Sequence, residues 1–309
     1  MKYILILTTS IFVLAGCKKD KIDTTTIRIE KTEVTSGSNV FSTFFSYDAQ
    51  GRLIKTSGKT NNEAEVTTAT ITYSGNEVII QRPLINNTNF SETHEIRYQL
   101  NAEKKPILRI ETGTRNFNIA PTVQHDYYKY ESDYQYNAAG YLIKINKSSY
   151  DSTHLSQPLG TSIQTASASS VTDFTITANN LSSVRSTTQI VNEIINTGGG
   201  NLNFTDNKIQ VWDFGYDMKF SNKTDYLNNF LLSDLEIFQM EWFPYAAGVT
   251  YVPDLITYNE SVNGQNTINV TNQFEYTYNK YGFISTVKYK NNPSPVKIFY
   301  NKKLTACYF

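Results

Sequence analysis

Tyr136-Asn137-Ala138-Ala139-Gly140-Tyr141-Leu142-Ile143-Lys144 is the stretch on which the fold turns. An asparagine side chain accepts backbone hydrogen bonds at the start of a type I turn, and a glycine three positions later takes the left-handed conformation that closes a hairpin with a bulge. The tyrosine then ends one strand and the aliphatic pair begins the next. Tyr47-Asp48-Ala49-Gln50-Gly51-Arg52-Leu53-Ile54-Lys55 and Tyr278-Asn279-Lys280-Tyr281-Gly282-Phe283-Ile284-Ser285-Thr286 repeat the design, which makes Gly51, Gly140 and Gly282 the turn glycines. Weaker turn clusters flanked by apolar residues stand at 73–78, 100–107 and 204–209.

Around these turns, Ile27-Arg28-Ile29, Ala69-Thr70-Ile71-Thr72-Tyr73, Val78-Ile79-Ile80 and Val287-Lys288-Tyr289 carry the alternation or β-branched content of strands. The copies are irregularly spaced, which argues for a meander of unequal hairpins and against a solenoid. Phe45 and Tyr47 fall on one side of their strand and Phe44 on the other, so both faces hold apolar residues and the sheet must curl. The expected fold class is all-β: an antiparallel meander of hairpins forming a curled or partly closed barrel-like sheet, with one short helix. That helix is placed at 225–235, where Tyr226, Leu227, Phe230, Leu231 and Leu235 approach helical spacing behind Asp225. From Ser148 to Gly200 the chain is rich in Ser, Thr and Asn and reads as strands joined by long polar loops within one domain. A transmembrane barrel is disfavoured, because Lys, Asn, Thr and Glu interleave the apolar residues.

The first residues read as an address. Met1-Lys2, an apolar run to Leu14, and the small residues Ala15-Gly16 have the layout of an export signal, too short to span a membrane permanently. Leu14-Ala15-Gly16-Cys17 resembles the lipobox of bacterial lipoproteins, and that resemblance implies acylation of Cys17. Two or three acyl chains, at about 0.8 kcal/mol per buried methylene, anchor far more firmly than one. The domain reading is a signal peptide over 1–16, an anchor and flexible tether over 17–26, and a single antiparallel β domain over 27–309. Lys18-Lys19-Asp20 resembles the residues behind the lipidated cysteine of Bacteroidota lipoproteins displayed on the cell surface.

Composition narrows the function classes. Lysine and arginine balance aspartate and glutamate at 28 each, so there is no global field to recruit nucleic acid. Twenty-two tyrosines and 17 phenylalanines against 3 methionines suit strands. The second cysteine, Cys307, has no partner if Cys17 is acylated, and it reads as a small buried hydrophobe. His94, His125 and His154 have no zinc-ligand spacing, Gly160-Thr161-Ser162 does not continue into a nucleophile elbow, and Gly198-Gly199-Gly200 lacks the Lys of a phosphate loop. No metal site and no cofactor are expected. Paired carboxylates such as Asp213, Asp217, Glu236 and Glu241 keep a glycan hydrolase open as the alternative. Trp212, Trp242 and Tyr245 are the ligand-binding candidates, since exposed aromatic faces anchor partners.

Tyr-Asp-x-x-Gly-Arg-Leu at 47–53 resembles the tyrosine-aspartate repeat of RHS-type proteins, although the copies are too few to build an RHS shell. Lipobox, spaced hairpins and tyrosine-rich strands together are similar to Bacteroidota lipoproteins with a porin-like fold. That resemblance implies a fold and an outer-membrane or surface location, and no reaction. The expected role is non-catalytic binding by a membrane-anchored envelope lipoprotein, its partners being the membrane through the lipid and a glycan, small ligand or envelope protein. A structural part of an outer-membrane complex is the further alternative.

Overall fold

The computed structural model describes residues 28–157, 160–196, 200–215, 220–221, 251–252, 255–279, 284–289 and 296–300. The first strands are β1 (Ile29–Ser36), β2 (Asn39–Tyr47), β3 (Leu53–Thr60), β4 (Val66–Ser74), β5 (Glu77–Gln81) and β6 (Ile85–Asn86). Longer ones follow: β7 (Phe90–Leu100), β8 (Pro106–Ile119), β9 (Thr122–Tyr136), β10 (Leu142–Gln157), β11 (Gly160–Thr177), β12 (Asn180–Asn196) and β13 (Leu202–Gly215). Two-residue β14 (Phe220–Ser221) and β15 (Tyr251–Val252) pair only with each other. The chain ends in β16 (Leu255–Val262), β17 (Gln265–Tyr278), β18 (Ile284–Tyr289) and β19 (Val296–Tyr300).

Seventeen strands belong to one sheet, each hydrogen-bonded to the next along the chain within it except that β5 and β6 both pair with β7, and β1 pairs antiparallel with β19. The meander is therefore closed. Because β5 and β6 both pair with β7 and share one position, the ring has 16 staves, an even number that lets the first and last strands meet antiparallel. Closure is complete where the sequence pointed to a curled or partly closed sheet; sealing β1 to β19 removes the two free edges an open sheet would carry. Among the described residues there is no helix, and the 225–235 segment lies outside them.

The hairpin turns form as their residues dictate. Asp48, Asn101 and Asn137 each accept at their carbonyl from the N–H three residues on (Gly51, Lys104, Gly140), and each side-chain oxygen accepts from the N–H four residues on. Gly51 and Gly140 have φ of +76° and +83°, while Lys104 holds +61° without being glycine. The tyrosine before the turn has its own task. Tyr47 donates its hydroxyl to the Ile29 carbonyl, Tyr73 to Leu53 and Tyr136 to Pro106, each reaching across its hairpin to the start of the preceding strand. Two cations reach turn carbonyls: Arg28 Nε, just before β1, donates to that of Gly51, and Lys105 Nζ, from the turn between β7 and β8, to that of Gly140.

Two sequence expectations are corrected. The serine- and threonine-rich stretch from 148 contains the greater part of three long strands, β10, β11 and β12, of 16, 18 and 17 residues, with only two residues and no long loop between one strand and the next. Residues 204–209 run straight through β13 instead of turning. There, Asn263 of the β16–β17 turn donates to Asp206 Oδ1 and accepts from the Asn207 N–H, so the polar pair is satisfied from the neighbouring hairpin.

Candidate functional site

Side chains alternate across a strand, so every stave presents one row inward and one outward. Phe45, Leu53, Ile71, Val78, Ile96, Tyr98, Ile145, Leu181, Val184, Phe214, Ile256, Phe274, Val287 and others form one buried cluster drawn from staves all round the ring. In a single closed wall with no covering layer among the described residues, that cluster is the inner face. It lies toward the rim of the tyrosine-locked turns: buried residues close β7, β9, β11, β13 and β17 and open β10, β12 and β16.

Beyond this apolar zone, the same inward rows carry charge. On β7, Ile96, Tyr98 and Leu100 are in phase with His94 and Glu92; on β8 the row holds Arg109, Glu111, Gly113 and Arg115; on β9 it holds Asp126, Tyr128 and Tyr130. Arg109 donates to Glu111 Oε2 at 2.6 Å, and His94 Nε2 stands 2.8 Å from Oε1. The histidine contact is short but too oblique for a good hydrogen bond, so the Arg109 contact is the aligned one. Burial pushes the Glu111 carboxyl up, yet the His94 contact and the adjacent Arg109 charge prevail and hold it at about 2. Tyr128 fits over Gly113, where a Cβ would meet its hydroxyl at once, and its ring lies 5.5 Å from that of Tyr130. Tyr130 donates to Asp151 of β10 at 2.7 Å; burial and that bond raise its phenol. Arg115 pairs with Glu92 at 2.9 Å and lies over the Tyr128 ring.

A second inward cluster occupies β13 and β16. Trp212 is half-buried, 5.1 Å from the Tyr258 ring, and packs on the edge of the apolar zone. Gln210 and Lys208, next along the row, reach Tyr258 and Glu260. Hydrogen bonds from Lys208 and then Tyr258 hold the Glu260 carboxyl at about 2. Between the two clusters the inward row of β11 is small, with Ala166, Ala168 and Ser170, and leaves room beside them.

The outward rows differ in kind. β10 shows Lys144, Asn146, Ser148, Tyr150, Ser152, His154 and Ser156; β11 shows Ile163, Thr165, Ser167, Ser169, Val171 and Asp173. β9 turns Lys129, Glu131 and Asp133 outward in succession. A lipid-spanning barrel has an apolar outer band about 25 Å tall, and a lysine or arginine at its midplane costs about 2–4 kcal/mol. Here the outer rows of β9, β10 and β11 carry Lys129, Glu131, Asp133, Lys144 and Asp173, and the large apolar cluster lies within.

No family model matches the sequence, and no curated protein matches it. Among solved structures, the chain is similar to a porin-like protein from Bacteroides vulgatus ATCC 8482. The TM-score is 0.47 at 11% identity, over 88% of this chain and 98% of that one. It is also similar to a porin-like protein from Bacteroides uniformis ATCC 8492, with a TM-score of 0.44 at 12% identity over 89% and 96% of the two chains.

Of the residues singled out in the sequence, the structure sets Trp212 on the lumenal wall and Gly51 and Gly140 in tight reversals, and Asp213 points outward, exposed. Cys17, Cys307, Trp242, Tyr245, Gly282, Asp217, Glu236 and Glu241 lie outside the described residues. The sequence reading missed Glu92, His94, Arg109, Glu111, Tyr128, Tyr130, Asp151, Lys208 and Glu260. A signal was available: in Glu92-Thr93-His94-Glu95-Ile96-Arg97-Tyr98 the alternate residues Glu92 and His94 keep phase with the core residues Ile96 and Tyr98.

Proposed function

We propose that the protein is an envelope barrel that stands in water, is held to a bilayer by acyl chains on Cys17, and binds a ligand in its lumen without turning it over. The observation that carries the reading is the polarity of the wall. Charged residues such as Lys129, Glu131, Asp133, Lys144 and Asp173 on the outer face of adjacent staves oppose insertion, and the inward rows hold the preorganised polar and aromatic groups. A ligand site of this kind sets a few fixed polar groups against apolar wall, as Trp212 with Tyr258 and Glu260 do beside the core.

The held charges also bear on chemistry. A glycosidase needs one carboxyl kept protonated near neutrality, whereas Glu111 and Glu260 are both driven strongly toward the ionised form and suit binding better. Two measurements test the proposal. Protein carrying Cys17→Ser is expected in the soluble fraction, and mature wild-type protein added to planar bilayers is expected to give no stepwise conductance. Porin-like conductance steps, or a Cys17→Ser protein that stays membrane-bound after a carbonate wash, would overturn it.

A further inference from the structure

The ring is not equally zipped all round. β4 and β5 are joined only from Thr70↔Gln81 to Ser74↔Glu77. Earlier in β4, Val66 to Ala69 pair with β3 alone, and the chain that should face them passes through Arg82, Pro83 and Leu84 into β6, which pairs with β7 alone. Continuing the register would set Pro83 against Thr68. Proline has no N–H to give the ladder, and Thr68 is the extra residue of a bulge against β3, its hydroxyl bound to that of Thr56. The ladder stops there, and a notch runs from that point to the rim opposite the tyrosine-locked turns.

Its margins are unusual for this wall. Val66, Leu84 and Ile85 are 64%, 61% and 47% exposed, three large apolar residues at one place. Glu63 and Glu65, also exposed, sit on the connection that leads into Val66. Beside the notch lies a cleft of about 440 Å³, lined by Gln81, Arg82, Leu84, Thr93, Glu95 and Tyr127 among others. Two opposed strand edges are complementary to one kind of occupant, an extended backbone that offers donors and acceptors to both sides.

We propose that this notch receives an extended segment of a partner polypeptide as an added strand, apolar where it faces Val66 and Ile85 and basic where it passes Glu63 and Glu65. Val66 and Ile85 both fall in inward rows, so alternate residues of the guest meet them, while the intervening residues face out. The bulge at Thr68 and the proline opposite it limit how far the guest can zip.

The test uses full-length protein and fluorescence polarisation. The probe is a labelled peptide about nine residues long, an ordinary strand length, of alternating valine and threonine with a lysine at each end; its control carries glutamates instead. Saturable binding of the lysine peptide is expected, weakened at least about tenfold by the glutamate ends and by the double substitution Val66→Lys, Ile85→Lys. Amide exchange should slow at Val66–Ala69 when the peptide is present. These positions are exposed, so the variant should melt with the wild type. Equal affinity for the two peptides, undiminished binding to the variant, or no binding at all would each overturn the proposal.

Discussion

At the rim of the Asx turns the chain is bound to itself in several ways at once. Three reversals are closed by Asp48, Asn101 and Asn137, three tyrosine hydroxyls cross back to preceding strands, and the inner wall is packed with aliphatic and aromatic residues. Toward the opposite rim β10 and β11 continue rich in serine and threonine on both rows, Leu202 and Phe204 stand exposed, and the β4–β6 seam is open. One end is a folded core in the ordinary sense. The other is a wall with few buried side chains, held largely by its backbone ladder.

The contrast predicts where substitutions register. Leu181→Ala, at a fully buried position of the packed end, should lower unfolding free energy by about 2–5 kcal/mol, whereas Val191→Ala on the outer row of the same strand should stay within about 0.5 kcal/mol; comparable losses at both would erase the distinction. Gly113→Ala should cost about 1–3 kcal/mol, since the added methyl meets the Tyr128 hydroxyl and the Thr93 carbonyl. Denaturant midpoints of these variants read all three.

Glu111 offers a sharper probe of the charged band. Its folded pKa lies below its unfolded one, so its contribution is present above the unfolded value and is lost as pH falls from there toward about 2. Glu111→Gln should remove that contribution, up to about 3 kcal/mol, and flatten the acid limb of stability against pH below about 4.5. An unchanged limb would mean that Arg109 and His94 do not hold this carboxylate in solution.

Smaller effects test the turn rim itself. Tyr136→Phe should cost about 1 kcal/mol, by loss of the bond to the Pro106 carbonyl, with little change in packing. Lys104→Gly relieves a left-handed backbone and should contribute about 0.5–1 kcal/mol, less whatever the Nζ contact with Asn76 contributes. Thermal melts resolve both, and a destabilised Lys104→Gly protein would show that the Asn76 contact outweighs the backbone term.

The legibility of the chain followed the same division. The turns around Gly51 and Gly140, with their tyrosines, could be read because local hydrogen bonding and backbone sterics specify them within a few residues. The strands within 148–200 could be read but not their full length, since a strand with water on both faces has no hydrophobic period to display. Trp212 attracted attention as an aromatic; its neighbours Lys208 and Gln210 did not, because only the pairing with Tyr258 and Glu260, about fifty residues away, gives them a role.

Sequence alone determined that the chain is an antiparallel meander and where several of its hairpins reverse, because those are short-range consequences of Asx oxygens, glycine φ and strand propensity. Tertiary structure decided the closure of β1 on β19, which row of each strand faces inward, the assembly of His94, Arg109, Glu111, Tyr130 and Asp151 from four strands, and the open seam beside Pro83. Those depend on register summed around 16 staves, a long-range quantity that no local pattern encodes.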